Sequence, residues 1–345
     1  MSDHDATGRP RSSVRPTQKD IAAAVGVSQA AVSMVLNKAE TPSVPSETRK
    51  RILKVAGELG YQPHHAARTL RSARTLTLAS VVPDITNPFY AGVVRGLQTT
   101  AAPAGYDVLI YNTDGRPEGE QRALKWLQQG RADGVVGMFY HLRPSDFGTL
   151  ARYKLPMVLF GQPSGKRIAL PVDYMFMDNV EAAAAMTRLL IAKGHRRIAM
   201  ILTEFGPGRR RAIGYQAVMR DAGLEPRLVI DQTSSPEAGV RAMESLLAEG
   251  DARPTAVFGA NDVLAIGAMR AARDAGLSIP SDMAIAGFDD VPTAGLLGLT
   301  TVRQPDFELG AWAAKALIER LKPGGLELPS RNLEWTFEIV ERISA

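Results

Sequence analysis

The chain has 345 residues, 45% of them hydrophobic and 22% charged, enough for two or three domains of ~150 residues with full apolar cores. Its 31 glycines and 22 prolines stay well short of the ~25–30% that marks low complexity, and the absence of cysteine excludes disulfides, thiolate metal sites and a cysteine nucleophile. The formal charge of +5 is uneven: residues 1–75 hold 12 of the 41 Lys and Arg and 6 of the 36 Asp and Glu, a balance of +6, leaving 29 and 30 elsewhere, a balance of −1.

A basic segment beside a neutral body is the electrostatic footprint of a polyphosphate partner, because neutralised phosphates release counterions; a solubilising basic tail is the alternative. Met1–Arg15 carries Arg9, Arg11 and Arg15 and no apolar h-region, so no secretory signal is expected. An uncharged run such as Val291–Val302 is shorter than the ~18 apolar residues of a spanning helix, and no membrane partner is expected.

Thr17 followed three residues later by Asp20 approximates a capping box, so a helix opens there with Ile21, Ala22 and Val25 as its apolar stripe. Gly26 permits a left-handed turn, and Ser28 caps a second helix carrying Val32, Val35 and Leu36. The spacing Ala22-x3-Gly26-x5-Val32 puts a small residue where two helices touch, a glycine in the turn and a branched residue over the core, which fits a helix-turn-helix. A third helix is expected with Ser46 as its cap, Ile52, Val55, Ala56 and Leu59 at helical spacing, and Gly60 as its stop. After Pro63 only about two turns of helix fit, marginal alone in water. With Arg68 and Arg71 beside it, an exposed Leu70 makes sense if that helix orders on DNA and the leucine wedges into the minor groove.

Thr17-x-x-Asp20-Ile21-Ala22-x3-Gly26-Val27-Ser28-x3-Val32-Ser33-x-Val35-Leu36-Asn37, then Thr48-Arg49 and Gly60-Tyr61-x-Pro63, resemble the LacI/GalR family of bacterial transcription regulators. The resemblance implies that Ser28–Asn37 is the major-groove recognition helix, with Gln29, Ala30 and Met34 facing base edges and Thr17, Ser28, Ser33, Asn37 and Tyr61 near phosphates. It implies further that Ala66–Leu70 is a hinge helix, placing His64, Arg68 and Leu70 among the DNA-binding residues. Met34 stands where the family often has arginine, and its thioether offers only apolar contact, for instance to a thymine methyl, so an operator sequence does not transfer.

From Leu76 the pattern changes. Short apolar runs at Leu76–Val82, Asp107–Tyr111 and Gly134–Phe139 alternate with helical segments Phe89–Thr100 and Pro117–Gln129, and the alternation resumes at Arg197–Leu202, Thr255–Phe258 and Ala284–Phe288. Parallel βαβ units in two doubly wound halves follow, with ligand chemistry expected beyond the carboxyl ends of the strands. No leucine heptad comes after the last apparent strand, Glu334–Val340, so a homodimer is expected rather than a coiled-coil tetramer.

The resemblance continues through Pro83-Asp84-x-x-Asn87-Pro88-Phe89-Tyr90, Asp178-Asn179, Arg211-x-x-Gly214-Tyr215, Ala260-Asn261-Asp262, Gly287-Phe288-Asp289-Asp290 and Gln304-Pro305. It implies a periplasmic-binding-protein-like core with effector contacts at Phe89, Tyr90, Arg211, Phe258, Asn261 and Asp289. The residue types suit a sugar or base, since aromatic faces stack while carboxylate, amide and guanidinium groups grip hydroxyls. Plainer readings stand beside these: Phe89 and Phe258 as core, and Asn261-Asp262 as a helix cap. Asp289-Asp290, two carboxylates after an apolar strand, have no local structural task. Gly206-Pro207-Gly208 with Arg209, Arg210 and Arg211 reads first as a solvated basic turn and second as an anion site; it lacks the final glycine of a dinucleotide fingerprint. The histidines show no metal-ligand spacing and no motif assembles a triad, so no catalytic residue, metal or cofactor is expected.

The expected architecture is an α/β core of two doubly wound parallel-sheet subdomains behind an N-terminal all-α DNA-binding domain. Its divisions are a basic extension 1–15, a helix-turn-helix 16–62, a hinge and linker 63–75, a first subdomain 76–175 plus 304–332 and a second 176–303 plus 333–345. The expected function is a cytoplasmic, homodimeric, non-enzymatic transcription regulator, a repressor first, that binds a double-stranded DNA operator and a small-molecule effector, a sugar first and a nucleobase or nucleoside second. A soluble sugar-binding protein without DNA function is the competing reading, followed by an enzyme on a doubly wound fold.

Overall fold

The computed structural model describes residues 16–36, 44–62, 74–162 and 171–345. The chain divides into two compact units, Met1–Thr75 and Leu76–Ala345. In the first, α1 (Gln18–Val25) starts as its capping box dictates: Thr17 Oγ1 accepts from the Asp20 amide, and the Asp20 carboxylate accepts from the Thr17 amide at 2.7 Å. It stops at Gly26, φ 74°, where a side chain would oppose the left-handed backbone that turns the chain. Ser28 Oγ accepts from the Ala31 amide at 3.2 Å and opens α2 (Gln29–Leu36). The two helices meet with a bend of 111°, so the uncharged run from Ile21 serves a packed core, and among the described residues no single helix is long and apolar enough to cross a membrane.

α3 (Ser46–Glu58) departs from expectation at both ends. Pro45 is its N-cap, without a side-chain cap bond, and Ser46 is its first helical residue. Leu59 falls at the C-cap, past the stripe of Ile52 and Ala56, and is 41% exposed, while Gly60 turns the chain at φ 63°. Ile21, Val25, Val32, Val35, Val44 and Ile52 fill the small core between the three helices.

The second unit holds two six-stranded sheets. The chain builds most of the first with β1 (Thr77–Val82), α4 (Pro88–Ala101), β2 (Asp107–Asn112), α5 (Pro117–Gln128), β3 (Gly134–Gly137), the short α6 (Gly148–Ala151), β4 (Met157–Phe160) and β5 (Val172–Met177). It then builds the second with α7 (Asn179–Ala192), β6 (Ile198–Thr203), α8 (Gly208–Asp221), β7 (Arg227–Asp231), α9 (Pro236–Leu247), β8 (Ala256–Gly259), α10 (Asp262–Asp274), β9 (Ala284–Asp289), α11 (Pro292–Leu297) and β10 (Thr300–Arg303). α12 (Asp306–Arg320) and β11 (Asn332–Trp335) return to the first sheet, and β12 (Glu338–Val340) ends on the second. The strand orders are β11-β5-β4-β3-β1-β2, all parallel, and β12-β10-β9-β8-β6-β7, parallel except at β12. β6, β8 and β9 are buried at every residue, as parallel strands covered on both faces require.

The run read as one strand, Glu334–Val340, is a correction: it contains the end of β11 and all of β12, on different sheets, so residues 333–335 pair with β5 rather than with the second subdomain. Non-local pairing splits a segment whose local pattern is continuous.

A buried ion pair fastens the returning helix. Arg320 donates from Nε to Asp173 Oδ2 at 2.8 Å and from Nη2 to Oδ1 at 2.5 Å, with both side chains fully buried, and Arg331 donates to the same carboxylate from its amide and Nη2, each at 2.8 Å. Burial pushes the Asp173 carboxyl up, but the hydrogen bonds from Arg320 and Arg331 outweigh it and leave it below its ordinary value. Asp173→Ala strands the Arg320 guanidinium in the interior and is expected to cost about 3–5 kcal/mol of stability, measured by urea unfolding. A loss below ~1 kcal/mol would show that the pair is dispensable.

Candidate nucleic-acid interface and ligand cleft

On α2 the inward residues are Val32 and Val35, with Met34 half-buried and packed against the same core, which leaves Gln29 and Ala30 exposed and Ser33 half-buried along the other side. Gln29 and Ser33 stand one turn apart, with Ala30 beside them, so these three form an outward strip starting at the helix N-terminus, and Met34 lies at its edge against the core. Thr17 and Ser28 are exposed at the first turns of α1 and α2, where their hydroxyls already act as caps. Tyr61 is half-buried against the three-helix core, its amide donating to the Ala56 carbonyl at 2.9 Å. Asn37, His64, Arg68 and Leu70, with the rest of the expected hinge helix, lie outside the described residues.

In the second unit a cleft of about 790 Å³ is lined by loops that follow the carboxyl ends of strands in both sheets. The first sheet contributes Asp84, Asn87, Phe89, Tyr90, Asp114–Arg116 and Met138–His141, and the second contributes Glu204–Arg211, Gln232–Ser235, Asn261, Asp289 and Gln304.

Arg211, one turn into α8, is 4% exposed. Its Nε donates to Asn179 Oδ1 at 2.8 Å, its Nη1 donates to the Ala260 carbonyl at 2.5 Å and stands 3.6 Å from Asp289 Oδ1, and the guanidinium lies over the Phe288 ring, 3.4 Å from its centroid. Asp289 ends β9 with φ 118°, which aims its carboxylate inward, and Gln304 Nε2 donates to Oδ1 at 2.6 Å. Burial pushes the Asp289 carboxyl up to about 7, Arg211 opposes the shift and Asp262 adds to it; burial likewise lowers the affinity of Arg211 for its proton. Neighbouring Asp290 does have a structural task, contrary to expectation: Arg303 Nε and Arg342 Nη2 each reach it at 2.7 Å.

Tyr90 lines the cleft, and its hydroxyl is hydrogen-bonded to that of Tyr140. Burial pushes Tyr90 up to about 12 and Tyr140 well above its ordinary value, so both rings are neutral. Phe89 packs edge-on against Tyr90 with centroids 5.3 Å apart, 7% exposed, serving core and cleft together. Asn261 is both cap and lining: its Oδ1 accepts from the Leu264 amide at 2.9 Å to start α10, and its amide group donates to Ser234 Oγ. Phe258 is a correction. It is fully buried in the apolar core within β8, which runs on to Gly259, and the Ala260 carbonyl, not the phenylalanine ring, reaches Arg211.

Sequence reasoning left Tyr140, Phe205, Asn179 and Gln304 out of the site. Asn179 and Gln304 stand inside motifs already quoted, and Tyr140 follows β3, where the strand-end rule pointed. Buried Glu120 on α5 sets the Tyr140 loop, accepting the amides of Tyr140, His141 and Leu142 at 2.6, 3.0 and 3.0 Å. Of the three consecutive arginines only Arg211 is buried; Arg209 and Arg210 are exposed at the rim. Arg116, Arg209, Arg210 and Arg211 are matched in the lining by Asp84, Asp114, Glu204 and Asp289, so its formal charges balance.

The family model for bacterial regulatory proteins of the lacI family matches residues 17–64, and that for the periplasmic binding protein-like domain matches residues 187–345. The chain is 33% identical over 333 residues to the HTH-type transcriptional regulator RegA of Clostridium saccharobutylicum, covering 94% of this chain and 98% of RegA. It is 34% identical over 340 residues to the ribose operon repressor of Escherichia coli strain K12, covering 95% and 99%. The solved complex of the transcriptional regulator CelR with cellobiose is 29% identical, with a TM-score of 0.67 over 96% of this chain and 100% of that one.

Proposed function

The chain belongs to the lacI family of bacterial regulatory proteins, as an effector-responsive DNA-binding transcription regulator and not an enzyme, and we propose that it is a repressor whose effector is a neutral sugar held in the cleft. The observation that carries this reading is the buried Arg211–Asp289 pair set beside the aromatic rings of Tyr90 and Tyr140. A cation and a carboxylate side by side offer donors and acceptors to neighbouring hydroxyls, and the balanced charges of the lining favour a ligand without net charge. The names of two relatives agree in kind, one being a ribose operon repressor and one a complex with cellobiose. Effector binding changes DNA affinity only through unequal affinity for the arrangements that do and do not hold the operator.

Residues 16–62 read the operator, with Gln29, Ala30 and Met34 toward base edges and Thr17, Ser28, Ser33 and Tyr61 toward phosphates. Gln29→Ala is expected to lose about 1–3 kcal/mol of discrimination at one base position, measured by anisotropy on duplexes selected from a random pool. Equal weakening on every sequence would move Gln29 to the phosphates. The chain works as a homodimer in the cytoplasm. Leu109 and Ile110 on the edge strand β2, Ile230 on the edge strand β7 and Ile213 on α8 are 40–54% exposed, an apolar cost that a second copy removes.

A thermal-shift panel of sugars and nucleosides on the full chain tests the effector, since a native-state ligand raises the melting temperature. One sugar should both raise it and release the selected duplex. Stabilisation by nucleosides alone would replace the sugar, and release by no member of the panel would defeat this reading.

A further inference from the structure

Asp262 lies outside the cleft lining, and the capping of α10 belongs to Asn261. Yet its carboxylate is fully buried and turned toward the segment that carries Asp289. Oδ2 accepts the Val291 amide at 2.9 Å, and Oδ1 accepts the Thr301 hydroxyl at 2.6 Å. Gly287 leaves room for this group, because a side chain there would run into Oδ1. Between Gly287 and Val291 stand Asp289 and Asp290, consecutive non-glycine residues at φ 118° and φ 55°, a backbone that persists only where surrounding contacts enforce it.

We infer that Asp262 is a positioning residue for effector binding: by holding the Val291 amide and the Thr301 hydroxyl it keeps the Asp289–Asp290 turn left-handed and so aims the Asp289 carboxylate at Arg211 and the cleft. This rests on the proposed role of Asp289 toward the effector. The clamp has two sides. Asp262 holds the turn from α10, and Gln304 holds Asp289 from beyond β10 through its side chain at 2.6 Å and its amide at 3.3 Å. Relaxing the α10 side lets residues 289 and 290 return to ordinary negative φ, which swings the carboxylate away from the guanidinium.

Asp262→Ala in the full chain removes both acceptor oxygens, so the Val291 amide and the Thr301 hydroxyl lose their partner together. Hydrogen exchange without ligand should show the Val291 amide opening at least tenfold faster while the strands β6 and β8 keep their protection. D-ribose and cellobiose, titrated calorimetrically, should bind Asp262→Ala at least tenfold more weakly than the wild type where the wild type binds them. In an Asp289→Asn background the same substitution should add less than twofold, because a group acting through Asp289 has nothing left to position. An unchanged Val291 exchange rate, or equal losses in both backgrounds, overturns the inference. If Asp289→Asn alone leaves the affinity unchanged, or neither sugar binds, the sugar-site reading fails instead, and the exchange rate still decides whether Asp262 holds the turn. Thr301→Val, which removes one partner of Asp262 without a charge change, should give a smaller loss of the same pattern and stands in should Asp262→Ala not fold.

Discussion

Arg211→Leu should abolish effector-driven release of DNA while leaving effector-free DNA binding intact. The guanidinium meets the Asn179 side chain, the Ala260 carbonyl and Asp289, and it lies on the Phe288 ring. Leucine keeps the apolar contact with the ring and removes every donor. Asp289, already raised to about 7 by burial, then protonates rather than remaining a buried anion without its cation. The effector loses the cationic donor and the ionised acceptor together, each hydrogen bond to a charged group being worth about 1.5–3 kcal/mol, so affinity should fall on the order of 100-fold to 1000-fold. DNA recognition sits in the other compact unit, with its own core of Ile21, Val32 and Ile52, and should be unaffected without effector. Calorimetry with the effector from the thermal-shift panel, beside anisotropy on the selected duplex, measures both halves. A variant that still releases DNA at wild-type effector concentrations would remove Arg211 from the site.

The DNA-binding unit was legible because its determinants are local. Thr17 with Asp20, Gly26 and Ser28 act within one helical turn of their own positions, and each does in the structure what its side chain permits. The cleft was legible from local pattern only at strand ends; Tyr90 and Arg211, which open helices, came from the resemblance. Arg211 stood in a run of three arginines, and nothing local distinguishes the buried one; its partners lie at 179, 260 and 289, brought together by the two-sheet topology. Phe258 shows the opposite failure. The resemblance placed it in the cleft, whereas the plainer reading of an aromatic inside an apolar run, a core ring, is what the structure holds. Asp290 was invisible as a structural group because its cations, Arg303 and Arg342, are 13 and 52 positions away. The split of residues 334–340 between sheets follows from the same cause, a pairing partner far along the chain.

The unliganded protein should lose stability as pH rises from about 4 to about 7, and effector affinity should rise as pH passes through 7. Asp289 moves from an ordinary value of 3.8 to about 7 and Asp262 from 3.8 to about 6, in both cases chiefly through burial. Between those values the folded chain holds protons that the unfolded chain has released, so stability present below pH 4 declines until the folded carboxyls have ionised. The carboxyls held below their ordinary value, such as Asp173, work in the other direction but below pH 4, outside this window, and His195, held below its ordinary 6.5 by burial, opposes the decline inside it. Asp289 faces Arg211, which favours its ionised form, and Asp262 and Asp306, which oppose it; Gln304 donates to it, and Tyr90 and Tyr140 nearby stay neutral. An effector whose hydroxyl donates to the carboxylate selects the ionised form and expels a proton whenever that carboxyl is protonated beforehand. Its affinity should therefore fall by up to about tenfold per pH unit below 7 and level off above. Asp289→Asn removes the titrating group, so it should flatten most of the dependence of melting temperature on pH and leave a weaker affinity that no longer changes with pH. Calorimetry at pH 5.5, 6.5 and 7.5 in buffers of different ionisation enthalpy counts the released proton directly. Affinity that stays level across this range in the wild type, with no proton released, would mean that the effector does not use the Asp289 carboxylate.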